Sequence, residues 1–404
     1  ISAEGSMPKI FPFIFLFVVL CNSHLLISSD EREIFYDSRQ LMSMYKYSNE
    51  HHYIQTEDGY ILKLFRIPRK GPPILLVHGI GDSSDSWLVL GPKKSLAFIL
   101  ADFGFDVWLY NSRGNKYSKR HVKKLSNKEY WQFSFHEMGT KDLPATIDYI
   151  LAATQERSLT YIGFSQGCTI FLVMCSSLPA YNNKIRHSIL LAPVAWIHNT
   201  HFPFMDFIVT LLRPWSYLTD QMGMYEMFSS NEIQNTYHSR VCNATSPEKA
   251  LCALEFLFSY GVRDLTHIDR DKFTVVSSHI PAGVSAFTLL HFVQNYVTKR
   301  FQKFDYEIAS YWRSNNQYLR EMPEYNVSDV RVPITMFASA ADWFSDEEDV
   351  NRLRQTLRTV ANYIFINEVP GFSHLEFMYG SRVNNLVNGP LIKILLSLYE
   401  IIDL

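Results

Sequence analysis

Leu159-Thr160-Tyr161-Ile162-Gly163-Phe164-Ser165-Gln166-Gly167-Cys168-Thr169-Ile170-Phe171-Leu172-Val173 reads as an apolar strand, a sharp turn and an apolar helix in immediate succession. The strand covers Leu159 to Gly163 and the helix Gln166 to Ser177, so Gly163-Phe164-Ser165-Gln166-Gly167 lies at their junction as the one Gly-x-Ser-x-Gly of the chain. A serine there is forced into strained dihedrals, and side chains in place of the flanking glycines would strike the neighbouring strand and helix. What the strain secures is an exposed hydroxyl at a helix N-terminus, where free N–H groups and the helix dipole favour developing negative charge.

Outward from this junction the chain alternates short β-branched and aromatic runs with helical patterns, the mark of a mostly parallel central sheet flanked by helices. Candidate strands are Pro73 to Val77, Phe105 to Tyr110, Leu159 to Gly163, Ser188 to Ala192, Ile334 to Ala338 and Tyr363 to Val369. Tyr53 to Ile67, interrupted by Glu57-Asp58-Gly59, reads as an antiparallel hairpin at the sheet edge. Helices fit Lys141 to Ala153, Gln166 to Ser177, Asp346 to Thr359 and Pro390 to Ile402. The rhythm breaks over 196–311, where strand alternation is lost and Phe204, Phe207, Ile208, Leu211 and Leu212 take amphipathic-helix spacing. That stretch is expected to be a largely helical cap over the carboxyl ends of the strands, with 40–195 and 312–404 as the core. Most of its apolar residues are expected to pack on the core and some to line a substrate channel.

A serine hydroxyl needs a base, and the base needs an acid to orient it. On such a turn the partners follow in the order Ser, Asp or Glu, His. Asp342 comes after the strand Ile334 to Ala338 and His374 after the strand Tyr363 to Val369, so both are expected at the sheet edge that carries Ser165. Asp346, Glu347, Glu348 and Asp349 are read as the first turn of a helix, where carboxylates complement the dipole. His187, His198, His201, His238, His267, His279 and His291 all precede the last strand, which leaves His374 without a rival. His78-Gly79-Ile80 ends the strand Pro73 to Val77, and the Ile80 and Gln166 N–H groups are the expected oxyanion donors, with His78 shaping the loop. The basic run from Arg113 to Lys128 (Lys116, Lys119, Arg120, Lys123, Lys124) reads as a solvated loop, with attraction to an anionic lipid surface as the lesser reading.

The 404 residues carry 38 Lys plus Arg against 40 Asp plus Glu, a net charge of -2 that gives no footprint for nucleic acid. At 47% hydrophobic and 15% aromatic, the chain has material for one large domain with an insertion. Residues 1–6 read as leader and 7–28 as a signal peptide, with Lys9 before the apolar run Ile10 to Leu20; an uncleaved anchor is the alternative. Cys242 and Cys252 close a short loop and are expected to pair in an oxidising compartment, where Asn243 and Asn326 would open glycosylation sequons. Cys168 and Cys175 sit in the apolar helix after Ser165.

With these residues in view the chain resembles the acid lipase family of gastric and lysosomal lipases, which includes secreted digestive lipases of insects. The likeness runs from Thr56-Glu57-Asp58-Gly59-Tyr60 through His78-Gly79 to Ser373-His374-Leu375-Glu376-Phe377. Its most specific blocks are Ser95-Leu96-Ala97-Phe98-Ile99-Leu100-Ala101-Asp102, Asn111-Ser112-Arg113-Gly114-Asn115 and Asp142-Leu143-Pro144-Ala145-Thr146-Ile147-Asp148. The resemblance implies an α/β-hydrolase fold with a cap, and hydrolysis of triacylglycerols or sterol esters by Ser165, Asp342 and His374. It further implies a cap disulfide matched by Cys242 and Cys252 and glycosylation near Asn326. It implies a lipid ester at a lipid–water interface as the partner, with no cofactor, no metal, no nucleic acid and no obligate protein partner. Location would be extracellular, with the lysosome as the alternative. Three positions depart from the family: Phe164 where His is usual, Ser339-Ala340-Ala341-Asp342 where a Gly-Gly-Lys-Asp-like run is usual, and Ile80 where Leu is usual. Competing readings are an impaired member that binds lipid and an esterase for small soluble esters.

Overall fold

The computed structural model describes residues 31–202, 205–206, 209–210, 221–243, 246–260, 267–307, 321–367 and 371–401. The signal peptide and Phe204, Phe207, Ile208, Leu211 and Leu212 lie outside these residues.

Strands that are apolar on both faces must be covered on both faces. Every residue of β3 (Pro73–Val77), β4 (Asp106–Leu109), β6 (Leu159–Phe164) and β10 (Ile334–Ser339) is buried. With β1 (Glu50–Gln55), β2 (Tyr60–Ile67), β5 (Arg120–His121), β7 (Ile185–Leu191) and β11 (Val360–Ile366) they form one nine-stranded sheet in the order β1-β2-β4-β3-β6-β7-β10-β11, with β5 beside β2. From β4 to β11 all pairings are parallel, while β1 and β2 form the antiparallel hairpin at one edge. Side chains alternate between two cores: Leu76, Ile162, Ile189 and Phe337 join Trp87, Phe98 and Phe105 on one face. Leu75, Tyr161, Leu190 and Met336 join Leu143, Ile147 and Phe171 on the other.

The structure shifts several expected boundaries for local reasons. β7 starts at Ile185 and stops at Leu191, because Ala192 takes a left-handed φ of +48°. β11 starts at Val360, which pairs with Ile334 across a register shift, and ends at Ile366; residues 368–369 of the expected strand lie outside the described set. The helix placed at Lys141 begins at Leu143, after a wider turn over Met138–Asp142 and with Pro144 in its first turn. The helix placed to Thr359 ends at Thr356, since Leu357 is extended, and the last one runs Gly389–Leu398, stopped by Glu400 at φ +53°.

Between β7 and β10 the chain leaves the sheet. The described helices there are Glu232–Val241, Lys249–Tyr260, Phe273–His279 and Ala286–Thr298. One short feature interrupts the helices of this stretch, expected to be largely helical: β8 (Glu226–Met227) pairs antiparallel with β9 (Val284–Ser285), two residues each and too short to leave an alternation in the sequence. Cys242 and Cys252 are joined, with Cα atoms 5.3 Å apart, linking the first two helices, and both are buried while Asn243 is exposed. No helix among the described residues is long and apolar enough to cross a membrane.

Candidate active site

Parallel strands end on one edge, so the loops after β3, β6, β10 and β11 converge. Ser165 follows β6 with φ +52° and ψ -116°, and the helix Gln166–Ser177 starts at the next residue. The two glycines are sterically required there. A Cβ on Gly163 would lie 2.8 Å from the Gly167 carbonyl carbon, and one on Gly167 would lie 2.4 Å from the Val77 oxygen.

His374 Nε2 stands 2.7 Å from Ser165 Oγ, and His374 Nδ1 stands 2.8 Å and 3.0 Å from the Asp342 carboxylate oxygens. All three side chains are buried. Asp342 is held by the Phe344 and Ser345 N–H groups, which donate to Oδ1 at 2.9 Å and 3.0 Å. Ser339, at the end of β10, donates its hydroxyl to the Phe372 carbonyl at 2.6 Å and so ties the Asp342 loop to the His374 loop. The turn bearing His374 is closed by the Ser373 N–H, which donates to Glu376 Oε2. With Nδ1 against a carboxylate, the imidazole is oriented to take a proton at Nε2. Phe164 and Phe344 flank the ring with centroids at 5.0 Å and 5.4 Å.

Six of the histidines that precede the last strand are engaged elsewhere. His279 pairs with Asp85 at 2.7 Å, His291 with Ser134 and the Gln302 carbonyl, His238 with Glu255, His187 with Thr335, His201 with Asp346 and His198 with Asp349. Asp346 caps its helix by accepting from the Glu348 N–H, as the reading of that acidic run expected.

His78 is 2% exposed, sits 2.7 Å from the Gly79 oxygen through Nδ1, and accepts the Ser112 N–H at Nε2. Burial pulls its pKa down to about 4, so the ring stays neutral and shapes the loop. Ile80 follows, and Gly81 takes φ +64°. Asp82 is buried behind this loop and burial raises its pKa to about 6. Asp85 is buried as well, but the charges of Lys116 and His279 outweigh that burial and hold its carboxyl well below the usual range. Among the described residues no group of three His, Cys, Asp or Glu side chains is arranged to hold a metal ion.

One reading of the basic run is corrected. Lys119, Arg120, Lys123 and Lys124 are solvated, but Arg113 is 1% exposed and Lys116 reaches the buried Asp85 at 2.6 Å. Arg113 donates to Asp58 at 2.7 Å and to Asp142 at 2.8 Å, and its guanidinium lies 4.1 Å from the Tyr60 ring centroid. A buried charge persists only when paired, and this one joins the hairpin turn, the loop after β4 and the helix Leu143–Thr154. The signal that could have found it is that the blocks around Asp58, Arg113 and Asp142 each contribute one member.

Comparison with known proteins agrees with this geometry. The sequence model of the alpha/beta hydrolase fold matches residues 72–376, and that of the partial alpha/beta-hydrolase lipase region matches residues 38–91. Lipase 3 of Drosophila melanogaster is 35% identical over 86% of this chain and 89% of its own. Human lysosomal acid lipase/cholesteryl ester hydrolase is 34% identical over 84% and 86%. Among solved structures, the alpha/beta hydrolase GrgF from Penicillium sp. sh18 overlays with a TM-score of 0.50 over 87% of this chain and 98% of its own, at 14% identity, a likeness of fold alone.

Proposed function

Because the chain belongs to the α/β-hydrolase lipases and is an ester-hydrolysing enzyme of lipase or sterol-esterase type, we propose that it cleaves triacylglycerols or sterol esters through Ser165, His374 and Asp342. The observation that carries this reading is the unbroken contact from Ser165 Oγ to His374 Nε2 and from His374 Nδ1 to Asp342. In the proposed cycle His374 Nε2 takes the Ser165 proton as Oγ attacks the ester carbonyl. The Ile80 and Gln166 N–H groups receive the oxyanion, an effect on the order of several kcal/mol. His374 then protonates the departing alcohol, leaving an acyl group on Ser165. Water, deprotonated by the same imidazole, releases the fatty acid and restores the serine.

The substrate side of the proposal rests on the cap. Met222, Phe228, Ile233, Tyr237, Leu251 and Leu254 are exposed large apolar residues within 222–254, which suits contact with a lipid–water interface. The apolar leader and the buried disulfide suit export, outside the cell or to the lysosome. Glycans on Asn243 and Asn326, both exposed, belong to the same proposal.

The test is Ser165→Ala, assayed on a triolein emulsion, on cholesteryl oleate and on a soluble p-nitrophenyl ester. Turnover of all three should vanish, together with labelling by a fluorophosphonate probe, in a protein that still folds. Persistent labelling would overturn the nucleophile. Wild-type turnover of the soluble ester alone would overturn the lipid substrate and leave a small-ester esterase.

A further inference from the structure

Two loops must hold their spacing for this site to work: the one that presents Ile80 and the one that presents His374. They are 294 residues apart in sequence, and the Tyr379 hydroxyl crosses between their supports. Asp82, two residues after Ile80, accepts the Tyr379 hydroxyl at 3.0 Å through Oδ2. Tyr379 is the last residue of the short helix Glu376–Tyr379, which begins two residues after His374. Both side chains are buried, Asp82 at 5% and Tyr379 at 1%.

The Tyr379 hydroxyl also meets the Ser86 side chain, and the remaining contacts of each residue stay on its own side or run to the cap. Asp82 Oδ1 accepts the Ser83 N–H at 2.7 Å and the Ser86 hydroxyl, so that oxygen is fixed within its own loop. The Asn115 amide donates to the Asp82 backbone carbonyl at 3.3 Å, and Gly81 accepts the Ala282 N–H at 2.7 Å. The Tyr379 carbonyl accepts the Asp269 N–H at 2.9 Å. Oδ2 is thus left to face the His374 side. A buried carboxylate–phenol bond resists displacement more than a solvated one, because breaking it strands a desolvated acceptor.

We infer that Asp82 and Tyr379 are positioning residues, a buried clamp that sets the distance between the oxyanion loop and the general base. The inference rests on the reading of Ile80 and His374 given above. Misplacing either loop by a fraction of an ångström should slow acylation on every substrate and leave ground-state binding nearly untouched.

The experiment compares three variants on a soluble p-nitrophenyl ester, with Ser165→Ala alongside. Tyr379→Phe keeps the ring and removes the hydroxyl that crosses to Asp82 and Ser86; kcat should fall by about tenfold with KM within about twofold, and fluorophosphonate labelling should slow in proportion. Ser83→Ala removes a hydroxyl from the same loop, one that accepts the Asp85 N–H at 3.4 Å, without touching the crossing contact, and kcat should stay within about twofold of wild type. Asp82→Asn can still bridge, through an amide that donates to the Tyr379 oxygen, and should keep more activity than Tyr379→Phe. A Tyr379→Phe enzyme with unchanged kcat overturns the clamp. So does a Ser83→Ala enzyme that loses as much, since the loss would then report only the local folding of this loop. Labelling of Ser165→Ala would indict the site assignment instead, and so separates the two failures.

Discussion

The edge of the sheet and the cap above it are built on opposite plans. At the edge, the loops after β3, β6 and β10 leave strands that are buried on both faces, and Ser165, His374 and Asp342 each stand within one hydrogen bond of the next. The cap is joined to that edge at separate points: Ala282 to Gly81, Lys116 to the Ala282 carbonyl, His279 to Asp85, Lys272 to Glu33 and Asp269 to Tyr379. It also turns large apolar side chains outward, among them Met222, Ile233, Leu251 and Leu254. On the proposed reading, chemistry sits at the sheet edge and substrate handling on the layer held by discrete ties. Damage to the edge should strike all esters alike, and damage to the cap should strike large ones first.

The strongest break of that contrast is at the base. His374→Ala should cost about as much as loss of Ser165, on the order of 10⁶-fold in kcat. Asp342→Asn should cost roughly four orders of magnitude, because the imidazole loses its orienter while oxyanion stabilisation survives. Both losses should be equal on triolein and on a soluble ester. Near-normal turnover by His374→Ala would transfer the role of base to a cap histidine and erase the division of labour.

Next in size is a change beneath the edge. Arg113→Met leaves Asp58 and Asp142 without the cation between them, and burial already pushes the Asp142 carboxyl up even with that cation present. Removing one partner of a buried ion network costs about 3–5 kcal/mol. Thermal or denaturant unfolding should register the loss, with kcat per folded molecule little changed. A variant as stable as wild type would mean that the guanidinium is not carrying the junction of hairpin, loop and helix.

The elbow was legible because its chemistry is local: two glycines with no room for a Cβ, a strand before and a helix after. The order Ser165, Asp342, His374 was legible because parallel strands deliver their following loops to one edge. Arg113 was not legible, since within a run of lysines a cation reads as solvated, and its partners lie 55 and 29 residues away. The Asp82–Tyr379 bond spans 297 residues and joins two residue types with no spacing rule between them. The β8–β9 pair was missed because two residues a side carry no period.

Opening the disulfide tests the cap. Cys242 and Cys252 are 10 apart, and closing so short a loop stabilises by about 2–3 kcal/mol in the chain-entropy model. In Cys242→Ser/Cys252→Ser, triolein hydrolysis should decline at a lower temperature than hydrolysis of a soluble ester. Parallel decline of the two would show that cap and sheet unfold as one unit. Peptide mapping of the unreduced protein should find this pair joined and Cys168 and Cys175 free, as their burial indicates.

The smallest expected effect lies in the wall of the site. Phe164 is 2% exposed, its ring centroid is 5.0 Å from that of His374, and Gly79 packs so closely that a Cβ there would come within 3.0 Å of it. Phe164→His places a second titratable ring against the base. Once protonated, it disfavours a second positive charge on His374. The neutral, proton-accepting form of His374 then survives to lower pH, so the acidic limb of kcat/KM should move down by less than about one unit. The imidazole also buries polar atoms where a benzene ring packed, which costs about 1–3 kcal/mol unless they find partners. The profile should shift by the same amount on triolein and on a soluble ester, since the change acts on the base and not on substrate handling. A limb that stays in place or moves upward would rule out electrostatic communication between the two rings. A shift seen with triolein alone would move Phe164 from the layer that performs the chemistry to the layer that receives the lipid.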